Sequence, residues 1–197
     1  MNIGIYIYKD VEVLDFAGPF DVFSTANRFL PDEDKWNVSL LSSSHGEVSA
    51  RGGFNVQSDY SILSHPKLDV VVIPGGIHEP EMTNVKSMDW IAKVSKEADL
   101  VSSVCTGAFL LAQAGVLTNQ TVTTHWEDLH DLQSSFPSLK VSEGVRWVDC
   151  GALVTSGGIS AGIDMSLRLV EKLKGREVAL NTARQMEFDW NENGRIL

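Results

Sequence analysis

The sequence predicts an α/β fold, a doubly wound parallel sheet flanked by helices with a cysteine at one strand-to-helix turn, and three observations carry that reading. Val70–Ile73 (VVVI) is a continuous β-branched run, the pattern of a strand buried on both faces, and it stops at Pro74-Gly75-Gly76. Residues 84–98 follow with Val85, Met88, Ile91, Ala92 and Val94 at helical spacing, as an amphipathic helix crossing over a sheet requires. Residues 100–114 (LVSSVCTGAFLLAQA) then place a short apolar strand, Cys105, the low-bulk pair Thr106-Gly107 and a second apolar run in succession. A buried strand meets a buried helix at Cys105, and the sharp turn between them is a nucleophile elbow that presents the thiol above the sheet. A free cysteine there also suits plain core packing, and this stretch alone leaves both roles open.

Taken in order, residues 2–8 (NIGIYIY) form the first strand and residues 9–13 a loop. In residues 14–29 (LDFAGPFDVFSTANRF) a loop passes into a helix, with Pro19 in its first turn and Phe20, Val22, Phe23 and Ala26 apolar. Asp15 then stands just before that helix, at the carboxyl end of the first strand, where open parallel sheets bind ligands. The same place suits a helix-capping aspartate. Residues 36–42 (WNVSLLS) are the second strand, and residues 46–58 a projecting hairpin with Gly52-Gly53 as its turn. The sheet does not need that arm, which suits equally a contact with a second copy or a solvated edge hairpin.

Gly75 and Gly76 leave backbone amides unshielded after the VVVI strand, which suits a tight turn or a place for developing negative charge. Gly115 ends the Cys105 helix, residues 121–124 resume β character, and His125-Trp126 opens a helix that Pro137 stops. Residues 145–148 and 152–155 predict a hairpin that sets Cys150 in an exposed turn. Residues 156–162 (SGGISAG) bend into a helix over 163–173, and a last helix covers 176–190. The bend has neither G-x-G-x-x-G nor a P-loop lysine, so no nucleotide site is expected.

A length of 197 residues with 43% hydrophobic content is that of one domain, 1–197, with a substantial core. A net charge of -10 and a pI near 4.9, with no basic cluster, argue against nucleic acid and anionic membranes as partners. Met1 leads straight into strand, with no basic n-region, no h-region and no apolar run of about 18 residues, so a cytoplasmic protein is expected. Two distant cysteines and five scattered histidines indicate neither disulfide framework nor metal.

LDFAGPFDVF, IPGG, VCTGAFLLAQAGVL, TTHW and TSGGISAGIDMSL, in that order, are similar to the ThiJ/PfpI superfamily, whose class I glutamine amidotransferase-like fold is a flavodoxin-like sheet. The resemblance covers nearly the whole chain; it is closest to the isonitrile hydratases and next to the sensor domains of AraC-type transcription regulators. It implies that Cys105 is the nucleophile and Asp15, in D-x-x-G-P, its companion acid. It further implies oxyanion donors at the Gly76 and Thr106 amides with Gly75 shaping the turn. His125 suits either the pocket or a structural place packed beside Trp126, and Gly158 and Ile159 are further pocket candidates. Thr106 stands where the protease-like and chaperone-like branches often carry histidine or alanine, so a Cys-His peptidase pair is not expected.

The implied chemistry is hydration of a small isonitrile to its N-substituted formamide by a homodimer, with no metal or organic cofactor. A helix terminus after Cys105 should favour its thiolate. Two rivals stand beside this reading. One is a non-catalytic ligand or redox sensor, although the chain ends at Leu197 without the basic DNA-binding segment that the regulators append, which favours a free-standing enzyme. The other is a glyoxalase or chaperone activity, a branch in which glutamate is usual where Asp15 stands.

Overall fold

The computed structural model describes residues 1–197. In chain order its elements are β1 (Asn2–Tyr6), α1 (Val13–Ala26), β2 (Asn37–Ser42), β3 (Glu47–Ser49), β4 (Asn55–Gln57), β5 (Tyr60–Ser61), β6 (Val70–Ile73), α2 (Glu79–Met82), α3 (Val85–Glu97), β7 (Leu100–Val104) and α4 (Gly107–Gln113). They continue with β8 (Thr121–Val122), α5 (Leu129–Ser135), β9 (Lys140–Val141), β10 (Trp147–Cys150), β11 (Leu153–Ser156), α6 (Ala161–Lys174), α7 (Arg176–Gln185) and β12 (Gly194–Ile196). Eight strands form one sheet in the order β12-β10-β11-β7-β6-β1-β2-β5, parallel throughout except for the β10–β11 hairpin. The central strands β6 and β7 are buried on both faces, as their unbroken apolar or small composition requires, and a cluster of 45 buried apolar residues fills both sides of the sheet. The hairpin arm, β3 paired with β4, stands outside this sheet. No helix is long and apolar enough to cross a membrane.

Four local expectations are corrected. Helix α1 starts at Val13, so Asp15 lies inside its first turn rather than before it, and Pro19 sits in the helix interior, where its missing N–H frees the Asp15 carbonyl. In α3 the inward residues are Ser87, Trp90, Ile91 and Val94, whereas Val85 is 70% exposed. Val85 is the first residue after the Asn84 cap, beyond the edge of the packed face, and Trp90 is buried because its indole N–H finds His65 Nε2 at 2.9 Å. Cys150 ends β10 half-buried, its thiol donating to the Thr121 carbonyl at 3.2 Å, instead of lying in the exposed turn. The last helix stops at Gln185 rather than near 190. The chain returns to add β12 beside β10, where Gly194 leaves room for the Trp147 ring.

Candidate active site

The β7-to-α4 turn forces Cys105 into the left-handed region at φ 55°, a conformation that costs a non-glycine residue energy and persists only where its surroundings impose it. The surroundings are identifiable. The Cys105 N–H donates to the carbonyls of Ser156 and Gly157, both at 3.2 Å, and its own carbonyl accepts the Thr124 hydroxyl at 2.8 Å. Gly107 completes the elbow: a Cβ there would lie 2.0 Å from the Ile73 carbonyl oxygen, so only glycine lets α4 press against the end of β6.

Asp15 is fully buried beneath this turn. Its Oδ2 accepts the Gly75 N–H at 3.1 Å and its Oδ1 accepts the Ile159 N–H at 2.9 Å, so it ties two distant loops together. It does not cap its own helix, whose N-cap position is Glu12 with no side-chain bond. Burial pushes the Asp15 carboxyl up to about 7 despite those two amides. Burial also pushes the Cys105 thiol up, Asp15 adds to the effect, and the Thr106 amide opposes it. This overturns the expected thiolate-favouring effect of the helix terminus. A helix end contributes roughly 0.3–1 kcal/mol, and α4 is only two turns long, whereas removal of a charge from water costs several kcal/mol. Asp15 and Cys105 therefore behave as one coupled pair that holds on to a proton.

The turn Pro74-Gly75-Gly76 is more fully bonded than the sequence implied. The Gly75 N–H is taken by Asp15. The Gly76 N–H donates to Thr106 Oγ1 at 3.0 Å, and the same hydroxyl donates back to the Gly76 carbonyl at 3.1 Å. Gly76 is thus not an open oxyanion donor: the Thr106 side chain occupies it. The Thr106 amide faces the Cys105 sulfur.

Above Cys105 opens a cavity of about 250 Å³. His125 and Ile159 line it with Cys105 and Thr106. Gly158 is the point where they meet, since a Cβ there would lie 2.3 Å from His125 Cδ2 and 3.2 Å from Cys105 Sγ. The imidazole is held from its other side: His125 Nδ1 accepts the Glu127 N–H at 3.4 Å and stands 3.4 Å from Asp128 Oδ2. Ile159, at φ 57°, turns its amide toward Asp15.

Sequence reasoning missed His78 and Asp128. His78, two residues past the glycine turn, is buried with its ring 4.5 Å from that of Phe109. Asp128 follows His125 by three residues on the same 3-10 turn, and burial pushes its carboxyl up while His125 and His78 oppose the shift. Both positions adjoin motifs that were visible, and spacing was the only signal for them. Glu12, Arg51, Ile77, Glu79 and Glu127 complete the lining. No group of three or more His, Cys, Asp or Glu side chains is arranged to hold a metal ion.

The sequence pattern of the DJ-1/PfpI family matches residues 1–172. Over 189 residues the chain is 34% identical to the isonitrile hydratase of Pseudomonas putida, across 95% of this chain and 78% of that protein. Over 173 residues it is 30% identical to the HTH-type transcriptional regulator CdhR of Pseudomonas aeruginosa, across 88% of this chain but only 51% of the regulator, so the chain spans about half of that relative's length. Among solved structures, a ThiJ/PfpI family protein from Pseudomonas syringae superposes with a TM-score of 0.85 at 23% identity, covering 96% of this chain and 76% of that one, which speaks for the fold.

Proposed function

Because the chain belongs to the DJ-1/PfpI family, in which relatives include both an enzyme and transcriptional regulators, we propose that it hydrates isonitriles to N-substituted formamides. The observation that supports this most is the pair itself: a fully buried carboxyl that accepts two amides, set beneath a thiol at a strained turn so that each raises the other's hold on a proton. Protonated Asp15 suits this place. Both its oxygens can still accept the Gly75 and Ile159 amides, while its O–H is left for the sulfur.

In the proposed cycle the one-proton pair, which rests with its proton on the sulfur, reacts through the form in which Asp15 has taken that proton and the sulfur is thiolate. The thiolate adds to the terminal carbon of R–N≡C as Asp15 delivers its proton to that carbon, leaving the thioimidate R–N=CH–S–Cys105 and a carboxylate. The carboxylate takes a proton from water as hydroxide adds to the thioimidate carbon, and passes that proton to nitrogen. Collapse of R–NH–CH(OH)–S–Cys105 breaks the C–S bond, returns the hydroxyl proton to Asp15 and releases R–NH–CHO with the thiolate restored. His125 and Ile159 wall the cavity in which this happens.

The assay is formamide production from a simple alkyl isonitrile followed by NMR. Turnover by the wild-type protein and none by Cys105→Ala is the expected result; no turnover of any isonitrile by the wild type refutes the proposal. The 30% identity to a transcriptional regulator supports a second reading, a ligand sensor using the same cavity, which that negative result would favour. We further propose a homodimer formed through the β3–β4 arm, which stands outside the sheet and carries Phe54 53% exposed beside β4.

A further inference from the structure

We infer that the cavity over Cys105 takes a small substrate bearing a cationic nitrogen at the end away from the reacting carbon. For the reacting group alone this rests on the isonitrile reading above. Four carboxylates line the cavity and one guanidinium answers them. That guanidinium, Arg51, is paired with Glu12 at 3.5 Å. Glu79, Glu127 and Asp128 are left, and the basic groups that approach them, at 3.4 to 3.9 Å, are the imidazoles of His78 and His125. Three carboxylates without a lysine or arginine set a negative potential at the mouth, which repels carboxylate- or phosphate-bearing molecules and draws cations in.

A second, independent feature points to a ligand. The His78 side chain is nine-tenths buried, with 10% exposure, and no protein group hydrogen-bonds its ring; its Nδ1 stands 3.9 Å from Glu79 Oε2, too far for a bond. The ring is packed against Phe109, but its nitrogens are not among the buried unpartnered atoms, so their hydrogen-bonding capacity is open on the side where the residue lines the cavity. A neutral imidazole nitrogen accepts an N–H, and a protonated amine offers one, with Glu79 and Asp128 beside it to balance the charge. Size narrows the class further. At about 250 Å³ the cavity lies below the usual range of about 300–1,000 Å³ for drug-sized ligands, so its occupant is small. The occupant is thus a short alkyl chain with a primary to tertiary ammonium, its stem against the two isoleucines of the lining.

The test compares kcat/KM at pH 7 for three isonitriles of matched length: 2-(dimethylamino)ethyl, its uncharged isostere 3-methylbutyl, and 2-carboxyethyl. We expect the cation to exceed the neutral compound about ten-fold at low salt, the carboxylate to fall below it by a similar factor, and both gaps to narrow in 0.5 M salt. In the Glu79→Gln/Glu127→Gln double variant, whose substituted side chains are 73% and 64% exposed and so leave folding intact, the cation-to-neutral ratio should drop about three-fold or more. His78→Phe should lower the same ratio. A ratio within two-fold of unity in the wild type, or one unchanged in the double variant, overturns the inference while leaving isonitrile hydration standing. If no isonitrile is hydrated, calorimetric titration with N-[2-(dimethylamino)ethyl]formamide and N-(3-methylbutyl)formamide decides it separately. Tighter binding of the charged compound by the wild type but not by the double variant supports the cationic site, and equal or absent binding refutes it.

Discussion

Asp15→Asn tests the proposed proton carrier and its electrostatic setting in one variant. The carboxyl accepts two backbone amides through two different oxygens, at 3.1 and 2.9 Å. A carboxamide has one acceptor oxygen, so its NH₂ must face the other N–H, and a buried donor left without a partner costs about 1–3 kcal/mol. Ionisation works the other way. A carboxyl held at about 7 in the folded state, against about 3.9 unfolded, binds its proton more tightly when folded, so stability is lost as pH rises from about 4 through about 7. Between pH 5 and pH 8 the wild type loses roughly 3 kcal/mol that the asparagine variant keeps. Urea unfolding at the two pH values should therefore show the stability difference moving by roughly that amount in the variant's favour, and a pH-independent difference would refute the raised carboxyl. The formamide assay should show a rate about 10²–10⁴-fold lower, the usual worth of a positioned acid–base group. Activity within about three-fold of wild type would refute the proton-carrying role.

Further outcomes are expected. The pair sheds its first proton near pH 7 and its second far above, so kcat/KM for a neutral isonitrile should rise through about pH 7 as the one-proton form appears; a flat or falling profile between pH 5 and 9 contradicts this, and Asp15→Asn should erase the inflection. Gly158→Ala does not meet a left-handed backbone but sets a Cβ 2.3 Å from the His125 ring, so kcat/KM should fall at least ten-fold with little change in Tm; an unchanged rate means that the ring's position is immaterial. Thr106→Val strips both Gly76 backbone groups of their hydroxyl partner, and scanning calorimetry should show a loss of about 1–3 kcal/mol, or several degrees in Tm. Light scattering at micromolar concentration should give twice the 21.6 kDa chain mass, and a monomer mass would end the dimer proposal.

The sequence by itself determined the architecture and the elbow. VVVI, the alternation of β-rich and amphipathic stretches, and CTG between two apolar runs are local signals, because a strand buried on both faces and a tight strand-to-helix turn each admit only a narrow choice of residues. Secondary structure whose stability comes from distant partners was not legible. The GRI edge strand exists because Gly194 leaves room for Trp147, 47 positions earlier in the chain, and α7 ends early so that the chain can reach it.

At the site, the resemblance supplied Cys105 and Asp15 as partners, but their chemistry is a property of the assembled molecule. Whether an aspartate in a helical first turn caps its helix or bridges two loops depends on where Gly75 and Ile159 arrive, 60 and 144 residues away. The tertiary structure alone decided that Thr106 closes the Gly76 amide, that the His78 ring packs on Phe109 with no hydrogen-bond partner in the protein, and that burial outweighs the helix terminus at Cys105. The physical reason is common to all three. A residue type states what a group can do, whereas its hydrogen-bond partners and its distance from water, which set its proton affinity, are fixed only when remote segments pack around it.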